Sequence, residues 1–355
     1  MLHMMASLVY CYVGCNSGSK DLEALHVLEC DTETGKAKIV QTVKGISGTT
    51  YFQLSADGGS LWSVVGEKRG GKNLSAAVRF ELDGWRIGRM HREAELPCET
   101  PCHVALDSHG IPAFAAYSSG VYSRLSGGAG AAGYTVKSGV LPDDAVGPRK
   151  DRQQKAYAHQ IVFTPDGRLT GVCDLGCDRI NFYGEDLSRC EVSIKADPGD
   201  GPRHALFSKC GRFLFVLNEL SSTVTSYAYD GGKTFRRICK RSTLPEGCTL
   251  KPTETKAAAI KLSADGRVLM ASNRGHDSIA FFDVDEGGGL TFRNTAKLAG
   301  RFPRDFELFP GEKFMVVGHK MSDEIQVYRV DMKKGTLDPV GEAIPAWRPL
   351  CFKFR

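Results

Sequence analysis

Side chains able to handle an anion recur along this chain: His159, Arg203, His204, Glu219, Arg274, His276, Arg304 and Lys320. A planar guanidinium grips a carboxylate or phosphate through paired hydrogen bonds. An arginine buried without a partner is costly, so Arg203 and Arg274 read as directed at a ligand. His159 reads either as a ligand contact or as an imidazole satisfied by backbone groups. Glu219 reads either as a ligand contact or as the salt-bridge partner of a neighbouring arginine. By contrast, Asp166 and Asp265 stand in Asp-Gly pairs and read as turn formers. Asp178, Asp277 and Asp323 recur at equivalent places and read as a repeated structural hydrogen bond.

These residues are far apart in sequence, and a repeat supplies the means of gathering them. A short apolar pattern, followed by a turn and a second apolar strand, returns seven times, anchored at Leu54, Leu106, Phe163, Phe207, Leu262, Leu308 and Phe352. The steps between anchors are 52, 57, 44, 55, 46 and 44 residues. The clearest copies run Ile161-Val162-Phe163-Thr164-Pro165-Asp166-Gly167 and Ile260-Lys261-Leu262-Ser263-Ala264-Asp265-Gly266. Self-similarity at about 40–50 residues is the mark of a β-propeller with one four-stranded blade per repeat. The expected fold is therefore all-β, a single seven-bladed β-propeller over residues 1–355.

In such a ring the first strand of each blade lines the central channel. Four places before the anchors stand Thr50, Cys102, His159, Arg203, Ala258, Arg304 and Arg348. One place later stand Tyr51, His103, Gln160, His204, Ala259, Asp305 and Pro349. The following antiparallel strand returns to the same face, ending at Tyr117, Asp174, Asn218-Glu219, Asn273-Arg274 and His319-Lys320. Both sets should encircle one mouth of the channel. The last anchor lies three residues from the C-terminus, while Ser7 to Val13 supplies a strand with no copy of the pattern before it. The N-terminal strands are thus expected to complete the C-terminal blade and close the ring.

Bulk properties narrow the partners. The chain has 355 residues, 42% hydrophobic, and a formal charge of +5. That excess is too small to argue for nucleic acid, although local arginines can still hold a small anion. No apolar run is long enough to cross a membrane as a helix, and no secretory leader is visible. Twelve cysteines include the pairs Cys11/Cys15, Cys98/Cys102 and Cys173/Cys177. They read as reduced, small core residues rather than metal ligands, since no paired C-x-x-C or H-x-x-x-H arrangement accompanies them. The expectation is a soluble cytoplasmic protein with no metal and no cofactor. Ser126 to Gly133 reads as a flexible hairpin tip. The basic run Arg149 to Lys155 reads as a solvated loop, placed where it could cover a site at His159.

The motifs Gly199-Asp200-Gly201-Pro202-Arg203-His204, Asn218-Glu219-Leu220, Ser272-Asn273-Arg274-Gly275-His276-Asp277-Ser278-Ile279 and Asp174-Leu175-Gly176-Cys177-Asp178-Arg179 resemble those of the seven-bladed β-propeller lactonases. That family includes propeller-type 6-phosphogluconolactonases and fungal carboxy-cis,cis-muconate cyclases. The resemblance covers nearly the whole chain and departs from it at Ala116 and Ala259. It implies hydrolysis of an acidic sugar lactone such as 6-phosphogluconolactone. The alternatives are closure of a carboxymuconate by a cycloisomerase, or a non-catalytic binding scaffold. In the muconate branch a histidine, two arginines and a glutamate at the channel mouth act on the substrate, and His159, Arg203, Arg274 and Glu219 match them. On this reading His159 or Glu219 is the general base and Arg274 stabilises the oxyanion. Arg203 and Arg304 bind the anionic group of the lactone, with His204, His276 and Lys320 as further contacts. A protein-binding scaffold would instead show an exposed apolar patch beside the mouth.

Overall fold

The computed structural model describes residues 7–15, 23–69, 72–128 and 133–355, and among these there are strands and connections but no helix. The strands form seven sheets of four. We number the blades from the one holding both chain ends. Its inner strand is Pro349–Phe354, followed outward by Leu8–Cys15, Glu23–Asp31 and Ala37–Lys44. The inner strands of blades 2 to 7 are Phe52–Leu54, His103–Leu106, Ala158–Phe163, Pro202–Phe207, Lys256–Leu262 and Pro303–Leu308. Each inner strand adjoins the next, so that they line a closed ring. All seven sequence anchors fall on these inner strands. The Ser126 to Gly133 stretch joins two strands of blade 3, and its residues 129–132 lie outside the described residues.

Ring closure follows the expected route. Pro349–Phe354 pairs antiparallel with Leu8–Cys15, from Cys11 opposite Phe354 to Gly14 opposite Cys351. The seam to blade 7 is filled by Cys11, Val13, Phe309, Phe314 and Phe352, all buried. Each large side chain so buried contributes about 1.5–3 kcal/mol. The cysteines Cys11, Cys15, Cys98, Cys173 and Cys177 are buried free thiols, and Cys102 is half-buried. The five buried ones act as small packing residues within the blade clusters.

Two repeated devices aim the site residues. The first is a β-bulge in the inner strand. In blade 4, Ala158 pairs with Asp174 and Gln160 with Cys173, which leaves His159 as the extra residue. The same shift isolates Arg203 between Pro202 and His204 and Arg304 between Pro303 and Asp305. In blade 6 it falls between Ala257 and Ile260. A bulged residue leaves the ladder and its side chain is re-aimed, here toward the channel mouth. The second device is the hairpin aspartate. Asp178, Asp277 and Asp323 each adopt a left-handed backbone conformation between the second and third strands of their blades. Their carboxylates accept hydrogen bonds from the segment that leads into the next blade: Gly199 and Gly201 N–H (both 2.7 Å), Phe302 N–H (2.8 Å) and Arg348 N–H (3.1 Å). Each hairpin thus positions the neighbouring blade's contribution to the mouth.

Candidate active site

His159, Arg203, His204 and Arg304 line one cavity with Thr50, Tyr51, Cys102, Asp305 and Leu350. Its volume is about 10 Å³ for the centre of a water-sized sphere, which is room for a single water. Above this level the second strands of the blades end.

There the chemistry centres on Glu219, which is 2% exposed and follows the second strand of blade 5. Its Oε2 lies 3.0 Å from Arg203 Nε and 2.8 Å from an Arg274 terminal nitrogen, and its Oε1 lies 2.7 Å from Arg152. Burial alone would push this carboxyl up. Arg274, Arg203 and Arg152 outweigh it and hold the group well below the usual carboxylate range. Glu219 is thus an ion-paired hub with little basicity. Arg203 also donates to the Ala258 carbonyl, and Arg274 to the Ala257 carbonyl at 2.8 Å. Burial and the charges of Arg304 and Arg274 pull the Arg203 guanidinium down to about 9.

His159 is 5% exposed, and its Nδ1 has no hydrogen-bond partner. Its ring lies edge-on to Tyr117 (5.5 Å between centroids) and to His204 (5.3 Å). Burial, then the charge of Arg203, hold the imidazole well below its usual range, so it is neutral at pH 7 with a nitrogen to spare. His204 sits one step deeper against His103, and Arg203 lies 3.0 Å from its Nε2. Arg304 and Lys320 are half-buried at the mouth. Burial and the charges of Arg304, Arg348 and Arg274 bring the Lys320 ammonium down to about 8.

His276 is not gathered with the others. Its Nδ1 lies 2.8 Å from Ser278 Oγ in its own hairpin, and its carbonyl accepts from Lys297 Nζ at 2.6 Å. The cause is the turn at Gly275, with φ +89°, which directs the chain away from the mouth just after Arg274. A Cβ there would fall 1.9 Å from the Glu254 carbonyl oxygen, so only glycine fits. Nor does Asp174 face the mouth: its Oδ1 accepts from the N–H groups of Tyr157, Gly176 and Cys177. Asn218 and Asn273 likewise bond hydroxyls of their own and adjoining hairpins.

Arg152 joins the site from a part of the sequence that reads as a solvated loop. It contacts the Tyr117 hydroxyl (3.2 Å) as well as Glu219. The loop is held by Gln153, whose Nε2 donates to the Leu175 carbonyl (2.9 Å) and to Asp178 Oδ1 (2.8 Å). The only signal in the sequence was the run of basic residues just before His159.

The ring mouth thus gathers Glu219, several arginines and a neutral histidine. A family model described as lactonase, 7-bladed beta-propeller, matches residues 10–354. The chain belongs to this lactonase family. It is 28% identical over 345 residues to a 6-phosphogluconolactonase of Bacillus subtilis, covering 94% of each chain. It is 30% identical over 349 residues to an uncharacterized protein of Staphylococcus saprophyticus, covering 97% of this chain and 98% of the other. The solved periplasmic gluconolactonase of Pseudomonas aeruginosa superposes with a TM-score of 0.84 at 28% identity, over 98% of this chain and 99% of the other.

Proposed function

We propose that this lactonase-family chain hydrolyses 6-phosphogluconolactone to 6-phosphogluconate. The observation that carries the reading is His159: a buried, neutral imidazole with an unpartnered Nδ1, held beside arginines. Such a nitrogen can take the proton of a water attacking the lactone carbonyl. Arg274 stabilises the oxyanion that develops. The ring opens when the ester oxygen leaves, and the imidazolium returns its proton to that oxygen. Glu219 acts as a positioning residue, because three arginines already occupy its oxygens. The Bacillus relative supports the choice of phosphorylated substrate. All twelve cysteines are free thiols, which favours a reducing compartment such as the cytoplasm.

The test is proton release from fresh 6-phosphoglucono-δ-lactone, measured against spontaneous hydrolysis. Wild type should accelerate it, and Arg274→Ala should lower kcat by about 100- to 1,000-fold. No acceleration by wild type would remove this substrate from the reading.

A further inference from the structure

The mouth contains two sets of cations that differ in their partners. Arg152, Arg203 and Arg274 share Glu219. Arg304, Lys320 and Arg348 form no ion pair with a carboxylate among the described residues. One hairpin brings these three together. Residues 320–323 join the second and third strands of blade 7. On one side the hairpin is tied to the lead-in of its own inner strand: Lys320 N–H donates to the Phe302 carbonyl (3.1 Å), and Arg301 N–H donates to Ser322 Oγ (2.8 Å). On the other side it is tied to the lead-in of blade 1, where Arg348 N–H donates to Asp323 Oδ1 (3.1 Å) and Ala346 N–H to the Asp323 carbonyl (3.0 Å). The hairpin therefore sits between Arg304 and Arg348 and carries Lys320.

We infer that Arg304, Lys320 and Arg348 form a separate anion pole at the junction of blades 7 and 1, which receives the dianionic phosphate ester of the substrate. The inference rests on the functional reading above for the identity of that substrate. Clustered cations without counter-charge are costly to hold. Burial first, and then the neighbouring arginines, lower the Lys320 ammonium and the Arg304 guanidinium. The backbone is also held in unfavourable conformations here. Phe302 has φ +65° and Arg348 φ +43°, and neither is glycine. Such residues cost about 1–3 kcal/mol each and persist where surrounding contacts impose them. Asp277 and Asp323 impose them here. Trp347, 37% exposed with the Arg348 guanidinium 4.9 Å from its ring, forms the outer wall. Phosphate would meet three cations that form no ion pair among the described residues, while the lactone carbonyl lies toward His159 and Arg274.

The experiment is calorimetric titration of inorganic phosphate into wild type, Arg348→Gly and Lys320→Met. It is paired with kcat/KM on 6-phosphogluconolactone and on unphosphorylated gluconolactone. Glycine tolerates the left-handed backbone at position 348, so Arg348→Gly removes the side chain without adding strain. Phosphate binding by wild type that weakens at least tenfold in both variants supports the pole. The preference for the phosphorylated lactone should fall by a similar factor. Wild type that does not bind phosphate, or variants that bind it as wild type does, would overturn it. Loss of phosphate binding in the variants without lactonase activity in wild type would keep the pole and discard the functional reading. Activity with an unchanged substrate preference in the variants would do the reverse.

Discussion

The mouth and the interior of the channel are built on the same inner strands, yet they treat charge differently. In the interior, Lys261 of blade 6 lies 2.7 Å from Glu307 Oε2 and 3.8 Å from Asp305 Oδ1, both on blade 7. Asp305 in turn accepts a hydrogen bond from Phe352 N–H of blade 1 (3.0 Å). Burial would lower the Lys261 ammonium, but its two carboxylates more than offset this and raise it. The cation is paired with carboxylates, and the pairing runs from blade to blade. At the mouth Arg152, Arg203 and Arg274 share Glu219, while Arg304, Lys320 and Arg348 form no ion pair with a carboxylate among the described residues. Matched buried charge joins structural elements. On the reading proposed above, the cations without an ion pair meet the ligand, and bulges and hairpin aspartates position them.

The largest expected effect breaks the hub. Glu219→Gln leaves three arginines without their counter-charge, and removing one partner of a buried pair costs about 3–5 kcal/mol. Thermal denaturation should show a large fall in Tm together with loss of turnover. A Tm within a degree or two of wild type would show that the arginines do not depend on Glu219.

His159→Ala should separate chemistry from architecture. We expect kcat to fall by about 100- to 10,000-fold, the range for a lost general base, with the fold retained by circular dichroism. The pH profile sharpens the assignment. Because His159 is held well below its usual range, kcat/KM should stay level as pH falls through 6.5 and decline only below it. Above neutrality, loss of charge on Lys320 should reduce kcat/KM as pH rises through about 8. Stability follows the same groups. His103, His159 and His204 are buried neutral, each held low first by burial. The unfolded chain binds their protons more readily, so stability is lost as pH falls below about 6.5, by about 1.4 kcal/mol per pH unit per histidine.

The smallest effect belongs to the interior. Glu307→Gln leaves Lys261 with Asp305 and should lower Tm modestly, with turnover close to wild type. A loss of turnover comparable to that of His159→Ala would mean that interior and mouth are coupled, and the contrast between them would fail.

The two regions were not equally legible in advance. The ring of residues four places before each anchor could be read from the repeat, because each blade obeys the same local pattern of strand, turn and strand. His159, Arg203, Arg304 and Arg348 occupy the places it assigns. The hairpin aspartates Asp178, Asp277 and Asp323 were legible for the same reason. His276 was misplaced, since one glycine turn decides on which side of a hairpin a side chain emerges. Arg152 was missed because a long connection follows no repeat.

By itself, then, the sequence determined the number of blades, the closure of the ring by its own two ends and the mouth at which the polar residues meet. These are consequences of local periodicity and of strand alternation, which operate within each repeat. Only the tertiary structure decided that Glu219 is a hub, that His159 stays neutral and that Arg304, Lys320 and Arg348 form no ion pair among the described residues. Burial and Coulomb interaction sum over every group near a site, whichever blade carries it, and those neighbours exist only once the ring has closed.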